Sequence, residues 1–135
     1  MIVDTSALLA YFDAAEPDHQ AVSRVIERSA DWLVVSPYVV AELDYLLATR
    51  VGVEAELAVL RQFAGGAWEL ANFGVSQLQQ ATKIIDKYRD QRIGIADASN
   101  VVLAELYRTR TIVTLDRRHF SVLRPMGGGR FALLP

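Results

Sequence analysis

The chain of 135 residues contains no cysteine, which excludes disulfide bonds and thiolate metal sites. It also lacks any run that approaches the ~20 apolar residues of a membrane helix, since Ser36 and Pro37 break the longest candidate, 32–41. No basic region precedes the apolar N-terminus, and Asp4 interrupts it, so we expect no signal peptide. Repeats, linkers and low-complexity segments are absent as well. We therefore expect one domain over 1–135, a cytoplasmic location with secretion as an alternative, and no membrane partner.

Charge is distributed unevenly along the chain. Residues 1–90 contain seven Lys and Arg against 13 Asp and Glu, a net charge of −6. Residues 91–135 contain seven Arg against three acids, a net charge of +4. A basic C-terminal part is compatible with phosphate binding, although a solvated arginine-rich surface would give the same count.

Strand-like and helix-like segments alternate along the chain. Short apolar and β-branched runs predict strands at 2–3, 33–35, 68–70, 111–114 and 131–134. Apolar residues at helical spacing predict helices at 6–12, 17–29, 37–50, 54–64, 76–89 and 97–107. This alternation is typical of an α/β fold with a parallel central sheet of about four to five strands and helices on both faces.

Four acids lie where this fold would bring them together. Asp4 and Asp116 follow two predicted strands, and ligands of open α/β sheets bind outside the carboxyl ends of the strands. Glu42 and Asp97 lie near helix starts that face the same edge of the sheet. The positions of these acids therefore indicate a shared site.

Each acid also has a structural interpretation of its own. Asp4 and Asp97 are well placed to support the N-terminus of a helix, and Asp116 to form a turn. Glu42 and Asp44 lie on opposite edges of the apolar stripe of their helix, so periodicity does not choose between them. For each acid taken alone, the structural interpretation explains the residue at least as well as a functional role.

The joint pattern is harder to explain structurally. Carboxylates packed at one edge repel one another by several kcal/mol unless a cation lies among them. Mg²⁺ prefers oxygen ligands and binds through a few carboxylates, waters and substrate phosphate. The pattern therefore predicts a Mg²⁺ or Mn²⁺ site that acts on phosphates.

Four segments, in order along the whole chain, resemble the signature blocks of PIN-domain ribonucleases. These segments are 2–9 (IVDTSALL), 36–43 (SPYVVAEL), 95–98 (IADA) and 112–120 (IVTLDRRHF). The compact length is similar to that of VapC-type toxins of bacterial VapBC toxin–antitoxin pairs. The resemblance selects Glu42 over Asp44. Where such toxins often carry Arg or Lys before the last acid, this chain has Leu115, and we expect no consequence for metal binding.

The resemblance implies a metal-dependent endoribonuclease that cleaves structured RNA, such as tRNA or the sarcin–ricin loop of 23S rRNA, and so inhibits translation. Asp4, Glu42, Asp97 and Asp116 would be the catalytic, Mg²⁺- or Mn²⁺-binding residues. The resemblance also implies a homodimer, and a cognate VapB-type antitoxin that blocks the acidic cleft within a larger hetero-oligomer.

Five further residues are expected to assist this chemistry. The resemblance implies that Thr5 and Ser6 support Asp4 or the attacking water. Arg92, Arg117 and Arg118 flank the expected cleft in sequence, and we expect them to contact substrate phosphates.

Three other interpretations remain open at this point. His19 and His119 could form a metal-free ribonuclease site, although a bare pair of histidines is a weak signal. A phosphoaspartate phosphatase begins similarly but usually has a second Asp two residues after the first, where this chain has Ser6. A non-catalytic interaction module with the same fold would not need all four acids.

Overall fold

Five short parallel strands form the centre of the molecule. The structure is a computed structural model, and it describes residues 1–135. The strands are β1 Ile2–Val3, β2 Val34–Val35, β3 Glu69–Leu70, β4 Thr111–Val113 and β5 Ala132–Leu134. The helices are α1 Thr5–Phe12, α2 His19–Glu27, α3 Pro37–Arg50, α4 Val53–Ala64, α5 Val75–Lys87, α6 Ile95–Leu106 and α7 Arg117–Phe120. The predicted α/β fold with a parallel sheet is confirmed.

The order of the strands places a crevice at the middle of the sheet. The order is β3-β2-β1-β4-β5, and every neighbouring pair is parallel. The chain first builds the sheet outward on one side of β1 and then returns to build it on the other side. The switch in direction therefore lies between β1 and β4, and ligand sites of such folds lie outside the strand ends at this point.

Alternate strand residues point to opposite faces, and each face carries its own core. Ile2, Val34 and Ile112 pack against one layer, which includes α5 and α6. The next residue of each of these strands packs against the other layer, which includes α1, α3 and α4. Helices therefore cover both faces of the sheet, which explains why the strands are almost continuously apolar.

Most element bounds shift by one or two residues from the predicted ones; for example, α2, predicted at 17–29, covers His19–Glu27, and two differences lie at the cleft edge of the sheet. The helix predicted from Asp97 begins at Ile95, because Gly94 takes an extended conformation and serves as the N-cap. The sequence predicts no helix at 117–120, but α7 forms there, and Asp116 caps it by accepting from the His119 N–H. Four residues are too few for a periodic pattern, so only the capping acid could signal this helix.

The helices were compared with the length and hydropathy of a membrane-spanning segment. None combines the length and the apolar content that a membrane-spanning helix requires.

We predict that Leu8→Ala lowers the free energy of unfolding by about 2–5 kcal/mol, because Leu8 is fully buried and truncation leaves a cavity. Leu106→Ala is the matched control. Leu106 is 54% exposed at the end of α6, and we expect a change within about 0.5 kcal/mol. Urea denaturation followed by far-UV circular dichroism measures both. Equal effects of the two substitutions would contradict the assignment of Leu8 to the core.

Candidate active site

A cleft of about 440 Å³ opens at the carboxyl ends of β1 and β4. Residues from α1, α3, α6 and the start of α7 line it, so it lies at the switch point of the sheet. All four acids singled out by the sequence line this cleft: Asp4, Glu42, Asp97 and Asp116. Thr5 and Ser6 line it too. The structure thus brings together residues that lie up to 112 positions apart in the chain.

Asp4 is the most buried of the four acids, with 3% of its surface exposed. It follows β1 directly and is the N-cap of α1, accepting from the backbone N–H of Ser6. Its Oδ2 also accepts from the hydroxyls of Ser6, at 2.8 Å, and Thr114, at 2.9 Å. Its Oδ1 accepts from the Asn100 amide at 3.1 Å. Burial nevertheless raises the pKa of Asp4, so these donors do not fully replace water.

Ser6 and Thr114 connect α1 to the segment after β4. The Ser6 hydroxyl accepts from the backbone N–H of Leu115 at 2.9 Å, and the Thr114 hydroxyl accepts from that of Asp116 at 3.0 Å. Each hydroxyl also donates to Asp4. The two side chains therefore fix Asp4 and the backbone that leads into Asp116 relative to one another.

Two buried polar atoms beside Asp4 have no hydrogen-bond partner. They are the Thr5 hydroxyl oxygen and the Asn100 side-chain carbonyl oxygen. Such atoms are rare in folded proteins, because each one forfeits its hydration. Since Thr5 lines the cleft, its hydroxyl is free to hydrogen-bond or coordinate a polar ligand that binds there.

His119 lies between two of the acids. Its Nδ1 is 2.7 Å from Oδ2 of Asp97 and 3.3 Å from Oδ2 of Asp116. Nδ1 makes no well-aligned hydrogen bond to either carboxylate, although the ring lowers the pKa of Asp97. The Arg118 guanidinium approaches Nε2 of the same ring at 3.2 Å. The carboxylates of Asp97 and Asp116 therefore retain lone pairs that no aligned donor occupies.

The protonation of Asp97 reflects this crowding of negative charge. Asp97 lies in the first turn of α6, and its side chain is 15% exposed. Burial, followed by the charge of Asp4 and then that of Asp116, raises the pKa of Asp97 to about 6, while His119 opposes the rise. A cation bound among these acids would oppose the shift, because it favours the ionised carboxylate.

The structure distinguishes the two acids of α3. Glu42 lines the cleft, although its side chain is exposed. Asp44 does not line it. Asp44 instead lies beside Glu56 of α4 and raises the pKa of that carboxyl. The helix thus presents the two acids to different neighbours, a choice that periodicity left open.

Three lining or supporting residues were not identified from the sequence. Asn100 and Thr114 hold Asp4, and Arg50 lines the cleft. Asn100 follows Asp97 by three residues on α6, so their shared helix face was a usable signal. Thr114 is the last residue of the predicted strand 111–114, and periodicity gives no sign that it lies beside Asp4. Arg50 lies about two helical turns after Glu42, so it shares the helix face of that acid.

The expected arginines lie outside the cleft, and the two histidines lie apart from one another. Arg92, Arg117 and Arg118 are exposed, and none of them lines the cleft. Arg117 donates to the carbonyl of Pro135. His19 lies in a separate surface pocket on α2, so it does not share a site with His119.

The side chains of the cleft fit a hard divalent cation. Carboxylates and a hydroxyl without a partner are the oxygen donors that Mg²⁺ and Mn²⁺ prefer. No group of three or more His, Cys, Asp or Glu is preassembled at metal-binding spacing. That arrangement suits an ion that keeps several waters and binds through one or two carboxylates.

Comparisons with known proteins agree with this geometry. The family profile of the PIN domain matches residues 1–124. Ribonuclease VapC26 of Mycobacterium tuberculosis is 77% identical over 135 residues, which is the whole of both chains.

Solved structures show the same fold at low sequence identity. The sarcin–ricin loop cleaving toxin VapC20 of Mycobacterium tuberculosis superposes with a TM-score of 0.80 at 19% identity, over 85% of this chain and 88% of the other. VapBC2 of Rickettsia felis, bound to a promoter DNA fragment, gives 0.71 at 15% identity, over 99% and 98% of the two chains.

The resemblance carried by the four sequence segments is thus confirmed over the full length of the chain. The chain belongs to the PIN-domain family, among the VapC-type ribonuclease toxins.

Proposed function

We propose that the chain is a Mg²⁺- or Mn²⁺-dependent endoribonuclease that acts as the toxin of a toxin–antitoxin pair. The observation that carries the proposal is the convergence of four carboxylates, from four parts of the chain, in one cleft at the switch point of the sheet. The identity of 77% to a protein named as a ribonuclease supports the reaction class.

In this proposal Asp4 and Asp97 are the principal metal ligands, with Asp116 and Glu42 acting directly or through water. A divalent ion held there supplies Lewis-acid stabilisation of the scissile phosphate and lowers the pKa of the attacking water. The protein's own contribution is orientation. Ser6, Thr114 and Asn100 fix both oxygens of Asp4. The Thr5 hydroxyl is then a donor or acceptor for whatever binds beside Asp4.

The proposal fixes the chemistry of the products. Because water is the nucleophile, the RNA 2′-hydroxyl takes no part in the displacement. Cleavage therefore leaves a 5′-phosphate on one fragment and a 3′-hydroxyl on the other. A histidine-catalysed transesterification would instead leave a cyclic phosphate, so the end groups distinguish the two reactions.

The substrate we propose is a structured RNA of the translation machinery, either tRNA or the sarcin–ricin loop of 23S rRNA. Support comes from the description of a structural neighbour as a sarcin–ricin loop cleaving toxin. Cutting either RNA would inhibit translation. Arg92, Arg117 and Arg118 remain our candidates for contacts with more distant phosphates of such an RNA.

The partners we propose are a second copy of the chain and a cognate VapB-type antitoxin, which together form a larger hetero-oligomer. Structural neighbours include a toxin–antitoxin complex of Klebsiella pneumoniae and VapBC2 of Rickettsia felis. Exposed apolar side chains at the α3–α4 junction offer a surface that a partner could cover. These side chains are Tyr45, Val51, Val53 and Leu57.

We predict that the purified protein makes a discrete cut in total bacterial RNA in Mg²⁺ or Mn²⁺, and that EDTA abolishes it. Asp4→Asn keeps the shape of the side chain but removes the charge, and we expect cleavage to fall by at least about a hundredfold. Mapping the fragment ends by sequencing identifies the target and the end groups together. Cleavage that survives both EDTA and Asp4→Asn would overturn the metal mechanism.

The remaining alternatives predict other results in the same experiment. No cleavage under any condition would favour a non-catalytic PIN-fold interaction module. Hydrolysis of phosphomonoesters without RNA cleavage would favour a metal-dependent phosphatase.

A matched pair of substitutions on α3 tests the geometry of the cleft. We predict that Glu42→Gln reduces the cleavage rate by about tenfold or more, because Glu42 lines the cleft. Asp44→Asn removes an acid two residues away that faces Glu56, and we expect the rate to stay within about twofold of wild type. Single-turnover kinetics measures both. Equal losses in the two variants would argue against a specific role for Glu42.

Metal affinity is predicted to fall as pH decreases through about 6, the pKa of Asp97, because the ion binds the ionised carboxylate. The raised pKa also means that the folded protein without metal holds this proton more tightly than the unfolded chain. The stabilisation from this proton on Asp97 is fully present below about pH 4, and it is lost as pH rises through about 6. Calorimetric titration with Mn²⁺, and thermal denaturation in EDTA, measure the two effects.

Asp97→Asn is the control for both measurements, because it cannot ionise. We expect it to flatten the stability change and to weaken Mn²⁺ binding at every pH. A wild-type Mn²⁺ affinity that does not change between about pH 5 and pH 7 would contradict the prediction.

A further inference from the structure

The cleft continues beyond the acids along one face of α3. Glu42, Leu46 and Arg50 follow one another at four-residue spacing, and all three line the cleft. From Glu42 to Arg50 the helix rises by about 12 Å. Helix α1 packs against α3 and contributes Leu9 to the lining. The site is therefore an elongated groove that extends along α3 beyond the carboxylates.

Arg50 is the arginine that lines this groove, and its guanidinium is unpaired. It has no acid within ion-pair distance and no side-chain hydrogen bond, and its side chain is exposed. Arg117 and Arg118, in contrast, contact Pro135 and His119. Arg50 also lies in the last turn of α3, where the helix dipole favours a cation. Arg61 also lies in the last turn of its helix, α4, but it does not line the groove, so this preference alone does not explain a cation there.

The middle of the groove is apolar. Leu9 of α1 and Leu46 of α3 lie in the lining that connects the carboxylates to Arg50. Along α3 the groove therefore presents carboxylates, an apolar segment and a cation, in that order. A nucleic acid strand has a complementary sequence of groups. The metal-bound end takes a phosphate, the apolar part takes a nucleoside, and the cation takes the next phosphates along the strand.

We propose that Arg50 binds a backbone phosphate close to the scissile one, so that the RNA strand runs along α3 from Glu42 towards Arg50. The nucleoside between the two phosphates lies against Leu9 and Leu46. This inference rests on the proposed ribonuclease function, and it assigns the path of the RNA strand across the protein surface. Arg50 positions the RNA and takes no part in the displacement itself.

Kinetics of Arg50→Ala at saturating Mg²⁺, on a synthetic RNA that spans the mapped cut, test the proposal. We expect KM to rise about tenfold, as for loss of one charge-assisted hydrogen bond, with kcat within about twofold of wild type. The log–log dependence of RNA affinity on salt should become shallower by about 0.7, the value for one phosphate of a single strand. Arg50→Lys should restore part of the affinity, and Arg61→Ala should match wild type.

Replacing single phosphates of the RNA by uncharged methylphosphonates locates the contact. One substitution near the cut should weaken cleavage by wild type but have no further effect on Arg50→Ala, because the contact is already lost. If every methylphosphonate affects the two proteins equally, Arg50 does not contact a phosphate. An unchanged KM in Arg50→Ala would also overturn the proposal and leave an acidic segment of a protein partner as the ligand.

Failure of this inference is distinguishable from failure of the ribonuclease function. If wild type cleaves and Arg50→Ala behaves identically, only the position of the RNA is wrong. If wild type does not cleave RNA in Mg²⁺ or Mn²⁺, both proposals fall. Unchanged thermal stability of Arg50→Ala, which we expect for an exposed side chain, shows that any loss is not due to unfolding.

Discussion

The cleft depends on keeping one carboxylate, that of Asp4, almost entirely out of water. Removing a carboxylate from water costs several kcal/mol, even after the protein relaxes around it. Ser6, Thr114 and Asn100 offset part of this cost, since a hydrogen bond to a charged group contributes about 1.5–3 kcal/mol. The pKa of Asp4 is still raised, so burial outweighs the donors. The site therefore retains an attraction for positive charge that either a proton or a bound cation can satisfy.

The topology of the sheet decides which donors reach Asp4. Strands β1 and β4 are neighbours, with Val3 opposite Val113, so the next residue of each strand, Asp4 and Thr114, emerges at the same edge. A slip of one residue in this pairing would turn Thr114 to the other face and remove a donor. Asn100 arrives from α6, which packs on the opposite side of the sheet from α1. The polar site is thus supported from both layers of the fold.

The sequence predicted the fold class and the four acids because each of these has a local signal. Asp4 follows an apolar strand, and Ser36-Pro37 marks the start of the helix that carries Glu42. The network around Asp4 has no such signal, since Asn100 and Thr114 lie 96 and 110 residues away along the chain. Their role depends on strand order and register, which periodicity does not fix. Periodicity likewise did not choose between Glu42 and Asp44: the resemblance selected Glu42, and the structure places Asp44 beside Glu56 of α4.

Structural and functional explanations of an acid are not alternatives at this site. Asp4 and Asp116 are both helix N-caps, and both also line the cleft. A carboxylate has two oxygens, so one can accept from the backbone of its helix while the other faces elsewhere. In Asp116, Oδ1 accepts from the His119 N–H, and Oδ2 faces the imidazole of the same residue. The cap ties the acid to rigid backbone, so the direction of the second oxygen follows from the helix start. Capping is therefore one means by which this fold holds charged side chains in place, and at Asp4 it acts together with Ser6, Thr114 and Asn100.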